Sequence, residues 1–189
     1  MCAAFGHSLM ELLAAQPLRT VTSEALCAAA GQDRISLWWH AGGVRECLRQ
    51  TYADLAERIL PSFEDSLACD RTWNDALIAG TLAIAGHLEA EPGAARFFLV
   101  DAPEAPDRET QMLALRSHER LGDALGFALI RAQDRPPAND VQIEMFAATL
   151  PQVLAHRVVE DGHLRDWRRI AADTEQLAGI FGCAVAGTG

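Results

Sequence analysis

Three sets of side chains in this 189-residue chain have types and spacing that could do chemistry. The first is Arg34-Ile35-Ser36 followed by Trp38-Trp39-His40. An Arg guanidinium can donate two parallel hydrogen bonds to a guanine edge or a phosphate. The second is His156, Glu160 and His163, whose i, i+4, i+7 spacing would line up three metal ligands on a continuous helix. A carboxylate-bridged di-metal centre, however, needs two Glu-x-x-His motifs with further inward Glu residues. The sequence has one, Glu160-x-x-His163, and Gly162 interrupts it, so no metal site is expected and a solvated helix end is the plainer reading. The third set is Trp73, Phe97, Phe98, Met112 and Phe127, which could line an apolar cavity or simply fill a core. His87 with Glu91 and His118 with Glu119 read as helix-surface charges. Nucleophile elbow, phosphate loop and dinucleotide fingerprint are all missing, so nothing here specifies an enzyme or a cofactor.

The first set must be positioned by the stretch Thr22–Leu48. Thr22 is a good N-cap, because its hydroxyl can accept from the free N–H groups that open a helix. Leu26, Cys27 and Ala30 give that helix a narrow apolar face, and Gly31 permits the reversal that ends it. Asp33 caps a second helix, for which Ile35, Leu37 and Trp38 or Trp39 are expected to supply the buried side. The two helices should occupy about 22–30 and 33–40. Helix, short Gly-containing turn, helix is the helix-turn-helix pattern. In that pattern the second helix enters the major groove, which would turn Arg34, Ile35 and Ser36 toward base edges. Thr22, Ser23 and the backbone N–H groups opening a further helix at Val44 and Arg45 would then hold phosphates.

Ala30-Gly31-x-x-Arg34-x-Ser36-Leu37-Trp38-Trp39-His40-x-Gly42 resembles the DNA-binding signature of TetR-family transcriptional regulators. Leu37, His40 and Gly42 are in register, Ser36 replaces Thr, and Trp38 replaces an aromatic Tyr. Gln32-Asp33 stands in place of Val-Ser, Ala41 in place of Phe, and Val44 where a phosphate-binding Lys is usual. The resemblance implies that Trp38 and His40 face bases or phosphates. It implies a homodimer on a palindromic operator, a repressor in preference to an activator, and a small, commonly apolar effector bound by the C-terminal helices near Trp73, Phe97, Phe98, Met112 and Phe127. The departures leave a second reading open: a TetR-like helical ligand-binding or interaction module that does not bind DNA. A continuous positive stripe from Arg34 to Arg49 would favour the first reading and a broken one the second.

Composition supports helices. Half the residues are hydrophobic, Ala and Leu dominate, and no segment reads as a strand. The net charge is −10, and all 16 basic residues are Arg. Residues 1–50 sum to zero, so the remaining body carries the excess acid and should repel nucleic acid. The five cysteines are scattered without metal-ligand spacing and read as buried thiols. The apolar N-terminus lacks the basic residues of a signal peptide, and no run is long enough to span a bilayer. A soluble, cytoplasmic protein with no membrane partner is expected.

Elsewhere the pattern is helical throughout. A first helix should cover about Phe5–Ala15, ended by Pro17. Leu48, Tyr52, Leu55 and Ile59 mark a longer helix that Pro61 should kink or end. Asp70 or Thr72 should cap a helix bearing Trp73, Leu77, Ile84 and Leu88, and Pro92 should open a short one through Leu99. A Pro-punctuated loop, Asp101–Asp107, and the break Arg135–Asn139 flank a long helix. The last two helices, about 139–160 (bent at Pro151) and 165–185, are expected to form the dimer. Ile143, Phe146, Leu150 and Val153 with Trp167, Ile170, Leu177 and Phe181 offer the apolar surface. The expected fold is all-α: an N-terminal three-helix helix-turn-helix domain, residues 1–46, and a C-terminal helical-bundle regulatory domain, residues 47–189.

Overall fold

Capping residues set most of the helix starts in the computed structural model, which describes residues 3–68, 72–91, 93–131 and 138–183. Helix α1 is Ala3–Ala15, followed by a single 3-10 turn at Leu18–Thr20. Thr22 accepts from the Ala25 N–H (3.2 Å) and opens α2, Ser23–Ala30. Asp33 accepts from the Ser36 N–H (2.7 Å) and opens α3, Arg34–Ala41. Helix α4 is Val44–Ala68, and α5, Trp73–Glu89, is capped by Thr72. Helix α6 is one α-helical turn, Ala94–Arg96, running on into a π-helical turn, Phe97–Asp101. Helix α7 is Arg108–Arg131. Asn139 and Gln142 form a reciprocal capping box at the start of α8, Asp140–Asp161. Asp166 caps α9, Trp167–Ile180. No strand occurs among the described residues. The expected cap at Asp70, the Pro92 opening, the Arg135–Pro137 part of the break, Cys2, Cys69 and the last two residues of the expected 165–185 helix lie outside them.

The buried side chains join into one continuous core. Phe5, Leu9 and Leu13 of α1, Leu26 of α2 and Leu37 of α3 belong to it, and it continues through Tyr52, Leu55, Ile59 and Phe63 of α4 into the body. Tyr52 stacks on Phe98 with ring centres 4.9 Å apart and meets Phe97 edge-on, which pins α6 to α4. Helices α4 and α5 approach closely because Gly80 leaves room for the Phe63 ring: a Cβ there would lie 2.8 Å from it. Arg120 of α7 reaches across to Glu57 (3.1 Å) and Glu64 of α4, while Arg157 of α8 pairs with Asp173 of α9 at 2.7 Å.

Several sequence expectations change. Pro61 does not end its helix; α4 continues to Ala68. A proline inside a helix costs about 3 kcal/mol, but Ile59, Leu60, Phe63 and Leu67 keep one buried stripe across it. Each such burial contributes about 1.5–3 kcal/mol, which outweighs the lost bond. Ile35, Trp38 and Trp39 are not the buried side of α3; Leu37 and Ala41 are. Ile143, Phe146 and Leu150, with Ile170 and Leu177, are covered within the chain and offer no surface to a partner. The expected boundary at residue 46 falls in the first turn of α4, so a single helix crosses it.

Candidate nucleic-acid interface

Helices α2 and α3 meet at a reversal that only a left-handed residue makes, and Gly31 takes φ 61° there. Its N–H and that of Gln32 return to carbonyls of α2. Asp33 then restarts the chain, and the Ser36 amide it bonds holds its carboxyl below the usual range. The outward face of α3 is unusually apolar. Ile35 is 66% exposed, Trp38 68% and Trp39 82%. The Trp38 ring lies over Gly43 in the turn to α4, where a Cβ would stand 3.5 Å from it, and this fixes the indole against the α3–α4 corner. Arg34, His40 and Arg45 are exposed around this face, as is Thr22; Ser23, Ser36 and Val44 are half-buried beside it. The sequence-derived set therefore lies on one side of the molecule, on α2, α3 and the start of α4.

The charges there are more balanced than the Arg positions imply. Arg34 pairs with Glu24 across the two helices at 3.1 Å. Glu24's own backbone N–H and the Arg34 guanidinium hold its carboxyl below the usual range. Arg49 is engaged by Glu46 on its own helix and by Glu109 at the start of α7. Glu46 also accepts from Gln50 at 2.8 Å, the larger cause of its lowered pKa, with Arg49 second. Arg45 has no ion-pair partner among the described residues. The positive stripe from Arg34 to Arg49 is thus interrupted at both ends by ion pairs that the linear sequence does not display.

The five candidate ligand-binding residues separate. Trp73, Phe97 and Phe98 are buried in packed core, and the Trp73 indole donates to the Cys183 carbonyl at 2.6 Å. Met112 is partly exposed on α7. Phe127 lines a cleft of about 560 Å³ between α7 and α8. Gly122 and Gly126, one turn apart on α7, face Ala147 and Ala148 of α8 there, and Leu115 and Ile130 extend the apolar wall. His118 is not a surface charge: it is half-buried in this cleft, and burial lowers its pKa. Elsewhere, His87 contacts the Ser62 hydroxyl at 2.7 Å while Glu91 pairs with Arg58. His156 contacts Glu160 at 3.2 Å, and no metal-binding cluster occurs among the described residues. The cleft was missed in the sequence, although Gly122 and Gly126 interleaved with Glu119 and Asp123 at helical spacing would have marked it.

Comparisons with known proteins agree with this architecture. No family model and no curated protein sequence matches the chain. Solved structures do. The TetR-family regulator PfmR of Thermus thermophilus superposes with a TM-score of 0.71 at 15% identity, covering 92% of each chain. The transcriptional regulator FadR of Bacillus subtilis, solved with stearoyl-CoA, gives 0.74 at 10% identity over 97% of this chain and 98% of its own. A tetR-family regulatory protein of Rhodococcus RHA1 gives 0.72 at 17% identity, over 96% and 97%. This chain has the TetR fold: an all-α molecule with an N-terminal helix-turn-helix and a larger helical body. No helix among the described residues is long and apolar enough to cross a membrane.

Proposed function

We propose that this protein is a TetR-like transcriptional regulator, a repressor that binds a palindromic operator as a homodimer and is released by a small, largely apolar effector. The observation that carries this reading is the uncovered face of α3. Ile35, Trp38 and Trp39 stand out from the fold with Arg34 and His40 beside them. Large exposed apolar groups that a fold does not cover mark an interaction surface, and here they sit on the second helix of a helix-turn-helix. Arg34, Ile35 and Ser36 would face base edges, Ile35 suiting a thymine methyl. Trp38 and His40 would face bases or phosphates. Thr22, Ser23 and the backbone N–H groups at Val44 and Arg45 would take phosphates. In this reading residues 1–46 supply the DNA contacts and residues 47–189 the control.

The dimer in this reading uses the outer stripe of α8, not the buried positions. Val141, Met145, Ala148, Gln152, His156 and Val159 follow one exposed helical line, with Ile180 exposed on α9. A Met145→Glu variant should sediment as a monomer, and a monomeric wild type at micromolar concentration would remove the repressor mechanism. Control would act as a population shift, since an effector lowers operator affinity only by preferring the state with badly spaced recognition helices. Arg120 with Glu57 and Glu64, and Arg49 with Glu109, tie α7 to α4, which follows α3 directly. A strongly anionic ligand such as the stearoyl-CoA of the Bacillus subtilis structure would be repelled by the carboxylates that border the α7–α8 cleft.

One observation favours a second reading, a TetR-like module without DNA binding: the interrupted positive stripe, with Glu24, Asp33 and Glu46 all held ionised beside α3. Selection of bound sequences from random duplexes by the purified protein separates the two. Arg34→Ala should then relax base preference by about 1–3 kcal/mol, while Arg45→Ala weakens all duplexes alike and lowers the salt slope by about one. Failure to bind any duplex at low salt would select the module.

A further inference from the structure

Helix α3 turns one side to the fold and leaves the other bare, and helical geometry decides which side chain stands at the centre of the bare side. Leu37 and Ala41 form the buried stripe. At about 100° per residue, Trp39 projects about 180° from the midline of that stripe, and Ile35, one turn earlier, stands about 40° from Trp39. Trp39 is also the most exposed large apolar side chain among the described residues. The polar groups lie elsewhere. Arg34 falls on the flank, about 140° from Trp39, where its guanidinium is shared with Glu24 at 3.1 Å. The Ser36 backbone N–H is taken by the Asp33 cap, and the Trp38 ring is laid over Gly43.

A helix that presents this side to a major groove puts few hydrogen-bonding groups against the base edges. The Ile35 side chain has none, and the Trp39 indole has a single N–H donor. The groove offers one feature that apolar carbon recognises, the C5-methyl of thymine. We infer that Trp39 is a specificity-determining residue and that Ile35 and Trp39 act as an apolar pair reading thymine methyl groups, so that the operator is selected by its pattern of methyls more than by its hydrogen-bonding pattern. Charge points the same way. Residues 1–50 carry no net charge, so the sequence-independent attraction to phosphates is small and the apolar contact carries more of the affinity. Arg45, exposed at the start of the next helix, is placed to anchor a phosphate beside the pair. The inference rests on the DNA-binding reading above and deepens it by naming the kind of duplex bound.

The test uses deoxyuridine, which pairs as thymine does and lacks only the C5-methyl. A duplex selected by the full chain is prepared with each thymine in turn replaced by deoxyuridine, and binding is measured by fluorescence anisotropy. Loss of a buried methyl lowers affinity about fourfold, and this is expected at one or more thymines of each half-site while the others are silent. Ile35→Ala and Trp39→Ala should bind the thymine duplex more weakly and stop discriminating at those positions, whereas Trp39→Phe should keep the discrimination. Both side chains are exposed, so the variants should retain their circular dichroism and melting temperature. Selected half-sites without thymine would overturn the inference, as would wild-type binding unchanged at every replaced position. Discrimination that survives in the Ile35→Ala, Trp39→Ala double variant would overturn it too. A double variant that binds the duplex as tightly as the wild type would assign this face to a protein partner instead. Failure to bind any duplex at low salt removes the regulator reading and the inference with it, whereas tight binding without methyl dependence removes the inference alone.

Discussion

Replacing Gly93 by Ala tests how the N-terminal helices are held to the body. Gly93 precedes α6 at φ 78° and lies against the backbone of α1. A Cβ at this position would stand 2.4 Å from the Met10 carbonyl oxygen, 2.8 Å from the Ala14 nitrogen and 3.1 Å from the Leu13 carbonyl carbon. These atoms belong to a helix backbone and cannot rotate away, and α1 is itself fixed by its buried Phe5, Leu9 and Leu13. The left-handed backbone alone costs an L-residue about 1–2 kcal/mol, and overpacking of a filled site adds about 1–3 kcal/mol. The sum is about 2–5 kcal/mol. At about 2–4 °C per kcal/mol for a chain of this size, the melting temperature should fall by roughly 4–20 °C. Gly31→Ala is the matched control, with φ 61° and nothing within 4 Å of its Cβ, so it should lose only the conformational part, about 1–2 kcal/mol. Urea unfolding of both variants, with m-values compared, gives the difference. Equal losses would refute the close approach of α1 to Gly93. Because α1 supports α2, Gly93→Ala should also weaken duplex binding at temperatures where it remains folded.

Other expectations follow from the same contacts. Gly126→Ala should stabilise by about 0.5–1 kcal/mol through helix propensity alone, whereas Gly80→Ala should destabilise by about 1–3 kcal/mol because the Phe63 ring occupies its Cβ site; chemical denaturation distinguishes the signs. Glu24→Gln should tighten duplex binding at low salt, since Arg34 loses its competing partner; unchanged anisotropy titrations would exclude that pair as a brake. His118 has its folded-state pKa lowered by burial, so the unfolded chain binds a proton first as pH falls. Stability is then full above the unfolded value of about 6.5 and declines as pH drops through and below it. His118→Gln should flatten that part of the decline measured by urea unfolding between about pH 7 and 5.

Local chemistry was enough to read the helix ends and the fold class. Thr22, Asp33, Thr72 and Asn139 were legible as caps because capping joins atoms only three residues apart. Gly31 was legible as a reversal for the same reason. Periodicity exposed Leu48, Tyr52, Leu55 and Ile59 as one buried stripe, and all four are buried. That α4 continues past Pro61 was not legible, because the local cost of a missing donor is visible in sequence while the burial that outweighs it comes from α5, α6 and α7.

Which side of α3 faces inward was decided only by tertiary structure. Ile35, Leu37, Trp38 and Trp39 are all apolar enough to be core, so composition does not choose among them. The choice falls to Leu37 and Ala41, on the side where α2 and α4 pack against α3. The pairing of Arg34 with Glu24 and of Arg49 with Glu109 likewise depends on where separate helices are brought to rest. So does the cleft, where Gly122 and Gly126 are mere helix residues until α8 lies beside them with Asp140 and Glu144. Short-range hydrogen bonding is written along the chain, but charge pairing and concavity belong to surfaces that exist only after distant segments have packed.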